Sequence, residues 1–66
     1  MTNSYMLTRN GMVYVFYPEG AVCSIKEWIK SSYDHEDCDR VVEIYIQNAR
    51  EFWLELEDRG FKVCPV

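Results

Sequence analysis

The sequence predicts an α+β domain: a small antiparallel or mixed sheet of three strands, in ββααβ order, with a short and a long helix on one face. Three observations carry this reading. Two apolar runs, SYMLTR and MVYVFY, flank Asn10-Gly11, the dipeptide most favoured in a two-residue type I′ hairpin turn. A stripe of apolar residues at helical spacing runs through the second half of the chain. A short run, Phe61-Lys62-Val63-Cys64, follows a helix stop at Arg59-Gly60 and reads as a last strand.

Pairing across Asn10-Gly11 sets Arg9 against Met12, Leu7 against Tyr14 and Tyr5 against Phe16. The opposite face then carries Met6, Thr8, Val13, Val15 and Tyr17. A hairpin covered on one side alternates apolar with polar residues, and this one does not. One face must serve the chain's own core, so the other is expected to meet a partner. Tyr5, Leu7, Met12, Tyr14 and Phe16 are the expected interface residues.

Pro18-Glu19-Gly20 ends the second strand. Ser24-x-x-Glu27 then has the form of a capping box at a helix start. Ile25, Trp28 and Ile29 fall on one face of the short helix this implies over residues 25–32, with Trp28 as its core anchor. A polar connector, SSYDHEDCD, leads to a long helix over residues 37–59. Its stripe is Val42, Tyr45, Ile46, Ala49, Phe52, Trp53 and Leu56. Leu54 falls among the water-facing positions. Pro65 closes the last strand and marks it as a sheet edge.

The segment Ala49-Arg50-Glu51-Phe52-Trp53-Leu54-Glu55-Leu56-Glu57-Asp58-Arg59-Gly60-Phe61 resembles A-R-x-x-W-x-x-L-x-x-x-G-[FW], an ending of small uncharacterised cyanobacterial proteins. Phe16-Tyr17-Pro18 is similar to their F-x-P element after an early strand. That family has no assigned activity, so the resemblance implies no functional residue.

Sixty-six residues make a single domain, 1–66, near the lower end of what folds without help. The net charge is −4, and the seven bases are scattered, which argues against a nucleic-acid backbone as ligand. The longest apolar run, Met12 to Tyr17, is too short to cross a bilayer, and no secretory signal is recognisable. An odd number of cysteines, Cys23, Cys38 and Cys64, fits reduced thiols and a cytoplasmic location.

Asp34-His35-Glu36-Asp37-Cys38-Asp39 is the segment richest in chemistry, and His35-x-x-Cys38 offers two metal-ligand types. A structural zinc needs four ligands, and only distant Cys23 or Cys64 could complete a nitrogen–sulfur set. Capping and solvation of the helix start account for the segment without a metal. No phosphate loop, nucleophile elbow or zinc-protease helix is present, so neither catalysis nor a cofactor is expected. The expected function is a non-enzymatic protein-binding module, acting as a homodimer or a small accessory or regulatory subunit through an aromatic-rich sheet face. One alternative is a small metal- or redox-responsive protein using His35 and Cys38. Another is a phage- or host-encoded inhibitor that docks on an enzyme. Excess chelator with reductant should leave the circular dichroism spectrum unchanged. Collapse of the helical signal would make His35 and Cys38 the first ligands to mutate.

Overall fold

A computed structural model describes residues 3–29 and 38–64. Its strands are β1 (Tyr5–Arg9), β2 (Met12–Glu19), β3 (Val22–Trp28), β4 (Arg40–Tyr45) and β5 (Lys62–Cys64), with one helix, α1 (Ile46–Asp58), between the last two. The strands form one sheet in the order β4-β3-β2-β1-β5, and every neighbouring pair is antiparallel.

The expected hairpin is present. Asn10 and Gly11 both have positive φ, 51° and 83°, as a type I′ turn requires. Arg9 pairs with Met12, Leu7 with Tyr14 and Tyr5 with Phe16. Thr8 Oγ1 donates to the Met12 carbonyl at 2.9 Å, which ties the strand ends beside the turn.

The three-stranded ββααβ arrangement with two helices is overturned: among the described residues there are five strands and a single helix. The expected short helix over 25–32 is replaced, as far as it is described, by β3, joined to β2 through a two-residue loop at Gly20-Ala21. Two-residue alternation decides this. Cys23 and Ile25 point to one side and are buried under α1, whereas Trp28 points to the other side and packs on Val13 and Val15. Ile25 and Trp28 therefore lie on opposite faces, although a helix would have put them together. Ser24 and Glu27 cap nothing; Ser24 Oγ lies 3.5 Å from a Glu43 carboxylate oxygen, and Glu27 accepts a hydrogen bond from Tyr14.

The expected long helix begins only at Ile46. The preceding Arg-Val-Val-Glu-Ile-Tyr is a β-branched run that pairs along β3. Tyr45, extended at φ −64° and ψ 147°, makes the change from strand to helix without a side-chain cap.

β4 and β5 sit at opposite edges, so α1 has to carry the chain across the sheet. Four strand spacings of about 4.8 Å make roughly 19 Å. The 13 residues of α1, at about 1.5 Å each, span roughly 20 Å. Its apolar stripe is the expected one from Ile46 onward, without Val42 and Tyr45, which lie in β4: Ala49 and Leu56 are buried, with Ile46, Phe52 and Trp53 packed against the same core. Beneath them lie Leu7, Phe16, Cys23 and Ile25, and Phe61 closes the far end.

The helix stops where Arg59-Gly60 predicts. The Gly60 N–H donates to the Glu57 carbonyl and the Phe61 N–H to the Leu56 carbonyl, both at 3.0 Å, which is a Schellman ending. Gly60 takes φ 97°, so position 60 needs glycine for its conformation, and a Cβ there, 3.1 Å from Arg9 Nε, would also push the Arg9 side chain aside. Leu54 and Leu56 lie two places apart on α1, yet Leu54 is 64% exposed and Leu56 is 1% exposed. Leu56→Ala should therefore lower unfolding stability by about 2–5 kcal/mol. Leu54→Ala should stay within about 0.5 kcal/mol of the parent in the same denaturant titration.

Candidate interaction surface

The residues expected to form an interface lie on the face that α1 covers. Leu7 and Phe16 are buried in the core, Met12 and Tyr14 are partly buried, and Tyr5 is about half exposed. Edge-to-face ring contacts lock this layer: Tyr5 to Trp53 at 6.3 Å, Phe16 to Trp53 at 5.0 Å, and Tyr14 to Phe52 at 5.5 Å. Leu7 and Phe16 are spent on folding and are not free to meet a partner.

The opposite hairpin face is not open either. Val13, Val15 and Trp28 are buried there, with Met6, Tyr17 and Cys38 packed around them. Tyr17 also lies under the Lys26 ammonium, 5.4 Å from ring centroid to Nζ. Lack of polar alternation in the hairpin thus reflects a sheet buried on both sides at its centre.

Cys38, one half of the candidate metal pair, packs on this second cluster, and His35 lies outside the described residues. Among the described residues no group of three or more histidine, cysteine or acidic side chains could hold a metal ion. Cys23 is buried, and burial pushes its thiol pKa up, which makes it a poor nucleophile.

Three concave features remain, one of them an open cleft of about 410 Å³ where β4 meets α1, between Val22, Glu43, Ile44, Tyr45 and Asn48. An open groove of about 590 Å³ runs along the first half of α1 between Tyr5, Pro18, Ile46, Trp53 and Leu54, with Arg50 as its one charged side chain. A smaller cleft of about 250 Å³ contains Tyr14, Glu27 and Arg40. Tyr14 donates a short hydrogen bond to Glu27 Oε2. Burial, then that bond and the Glu27 charge, push the Tyr14 pKa up to about 12, against smaller opposing effects of Arg59 and Arg40. A phenol held protonated in this way is a structural clasp between β2 and β3. None of the three brings an activated nucleophile and a base together.

The two sheet edges differ sharply. β5 has three residues, carries Lys62 and is followed in sequence by Pro65; short length, lysine and proline all discourage further pairing. β4 has six residues and neither lysine nor proline. Just past its end the Ile46 N–H donates to the Ala21 carbonyl at 2.9 Å, and Ile44 and Val42 stand opposite Cys23 and Ile25. Hydrogen-bonded pairs alternate in an antiparallel ladder, so Val42 and Ile44 bond to β3 while Val41, Glu43 and Tyr45 turn their N–H and C=O groups outward. The side chains of those three residues share the helix-free face, where Val41 is 58% and Tyr45 is 69% exposed. Among the described residues nothing pairs with this outer edge. α1 leaves from the end of β4 and runs toward β5, away from it.

No protein-family model matches the chain, and no curated protein or solved structure matches it.

The β4 edge escaped the sequence reading because residues 41–45 were placed in a helix, where Tyr45 belongs to the buried stripe. The available signal was the alternation Val41, Glu43, Tyr45 against Val42, Ile44 within a β-branched run.

Tyr14 generates a pH prediction. Its folded pKa lies above the ordinary value of 10.0, so the native state holds the phenol proton more tightly than the unfolded chain. That contribution is fully present below pH 10.0 and is lost as pH rises toward about 12. Unfolding free energy of the parent should therefore fall over this window more steeply than that of Tyr14→Phe. Parallel curves for the two proteins would contradict the clasp.

Proposed function

We propose that this chain is a non-enzymatic protein-binding module that takes an extended protein segment as an added strand on the outer edge of β4. The observation that carries the reading is the contrast between the two edges. β5 is short and blunted by Lys62, whereas β4 presents three outward backbone pairs beside exposed Val41 and Tyr45. Backbone hydrogen bonds would supply attachment, and the side chains on the helix-free face would select the partner.

A protein partner suits the charge. The net charge of −4 and the scattered bases oppose a phosphate backbone. No helix among the described residues is long and apolar enough to cross a membrane. A buried Cys23 thiol outside any disulfide, with an odd cysteine count, favours a reducing compartment such as the cytoplasm. The binding role rests on the edge and not on the aromatic layer, which α1 covers.

The test uses a synthetic peptide of residues 39–46, N-methylated at the positions of Arg40, Val42 and Ile44 so that only one of its edges can pair. Titrated into isotope-labelled protein, it should shift amide resonances of β4 and β3 and leave α1 unchanged. Glu43→Pro removes an outward N–H that takes no part in the β3 ladder, so the variant should melt like the parent and ignore the peptide. An unperturbed parent spectrum at saturating peptide would overturn the reading.

A further inference from the structure

Resting on the strand-addition reading, we infer that the segment received by β4 is β4 of a second copy, in an antiparallel register centred on Glu43.

Geometry restricts the choices. A two-fold axis perpendicular to the sheet runs two β4 strands antiparallel and makes one continuous sheet with both helices on the same side. Outward backbone groups belong to Val41, Glu43 and Tyr45, so odd positions must pair with odd positions. Five registers satisfy this, and two of them, Glu43 on Tyr45 and Tyr45 on Tyr45, run one strand against Gln47 in α1 of the other copy. Three remain. In the first, Val41 faces Val41 of the second copy, which leaves Tyr45 beyond the paired strand. In the second, Val41 faces Glu43 of the second copy, and Tyr45 reaches position 39, whose N–H is already bonded to the Glu27 carbonyl of β3. In the third, Val41 faces Tyr45 of the second copy, twice, and Glu43 faces Glu43 on the axis.

Side-chain chemistry selects the third. It covers both exposed apolar residues with each other, Val41 at 58% and Tyr45 at 69% exposure, and a β-branched residue opposite an aromatic is a favourable cross-strand pair. The first leaves Tyr45 uncovered, and the second sets each Val41 against a carboxylate and leaves Tyr45 opposite a residue already bonded to β3. The third concedes one like-charge pair and gains two apolar ones. It also satisfies all three outward residues, each giving and accepting one backbone bond. On the helix side it brings Val42 opposite Ile44 of the second copy, and both of these are already partly buried against the core. α1 does not obstruct the approach, because it crosses away from this edge.

The edge is thus self-complementary: its odd residues read Val, Glu, Tyr in one direction and Tyr, Glu, Val in the other, matching apolar with apolar. An arbitrary partner strand would have to supply that pattern. A second copy already has it.

Sedimentation equilibrium from micromolar to millimolar protein tests this on the full chain. The parent should be a dimer that dissociates on dilution. Glu43→Gln should tighten the dimer by about two- to five-fold, the worth of one relieved like-charge pair. Tyr45→Lys should weaken it about tenfold or more by placing a lysine on the edge. Glu43→Pro should be monomeric, and Val41→Lys provides the same block should the proline variant fail to fold. A parent that is monomeric at every concentration overturns the second-copy inference; peptide shifts that persist in that case leave the edge reading standing. A dimer retained by both Glu43→Pro and Val41→Lys forms elsewhere and overturns the second-copy inference. A dimer indifferent to Glu43→Gln overturns the register.

Discussion

The rest of this structure depends on one connection: α1 has to bring the chain from β4 at one edge of the sheet to β5 at the other. Its 13 residues are about as long as the sheet is wide. Because it crosses over the strands, its buried stripe meets residues from several of them. Leu7 of β1, Phe16 of β2 and Cys23 and Ile25 of β3 all lie in the core it closes. The crossing therefore decides which sheet face is core. It also decides which edge is left, since a helix that starts at β4 and moves away cannot shield it.

A chain of 66 residues has little interior, and this one uses both sides of its sheet. The helix side holds the larger cluster, sealed by rings of Tyr5, Tyr14, Phe16, Phe52, Trp53 and Phe61. The other side holds Val13, Val15 and Trp28 with Cys38 against them. The apolar fraction of 48% is consistent with that double use. Among the described residues, the large apolar side chains left exposed are few: Val41 and Tyr45 on β4, Leu54 on α1, Val63 on β5, and Ile29 and Tyr5 near strand ends. Of these, only Val41 and Tyr45 share a face with each other beside outward backbone groups on a long edge strand.

The parts that were legible in the sequence are those where local chemistry and tertiary structure agree. Asn10-Gly11 specifies a turn whose twist suits paired strands, so the hairpin and its register follow from the dipeptide and the flanking runs. Gly60 ends α1 because its backbone conformation is hard for any other residue, and the stripe from Ile46 to Leu56 is unambiguous at helical spacing. The middle of the chain was misread where two periods coincide. Ile25, Trp28 and Ile29 satisfy a helix face, yet Cys23, Ile25 and Trp28 serve two sides of a strand. Val42, Tyr45 and Ile46 extend the helical stripe backward, yet pairing with β3 is what the β-branched run before Ile46 favours. That ambiguity also hid the candidate site. With Tyr45 assigned to a helix stripe, no edge existed on which it could be exposed, and the hairpin's two apolar faces drew the interface to residues that α1 buries.

Amide hydrogen exchange resolved by residue, measured at low and high protein concentration, tests most directly whether β4 offers outward backbone groups to another strand. Val42 and Ile44, bonded to β3, should be protected at both concentrations. Val41, Glu43 and Tyr45 should exchange freely when dilute and become protected when concentrated. Strong protection of those three amides that does not change with dilution would contradict an open β4 edge. Free exchange of all three at every concentration would contradict its pairing with a second copy.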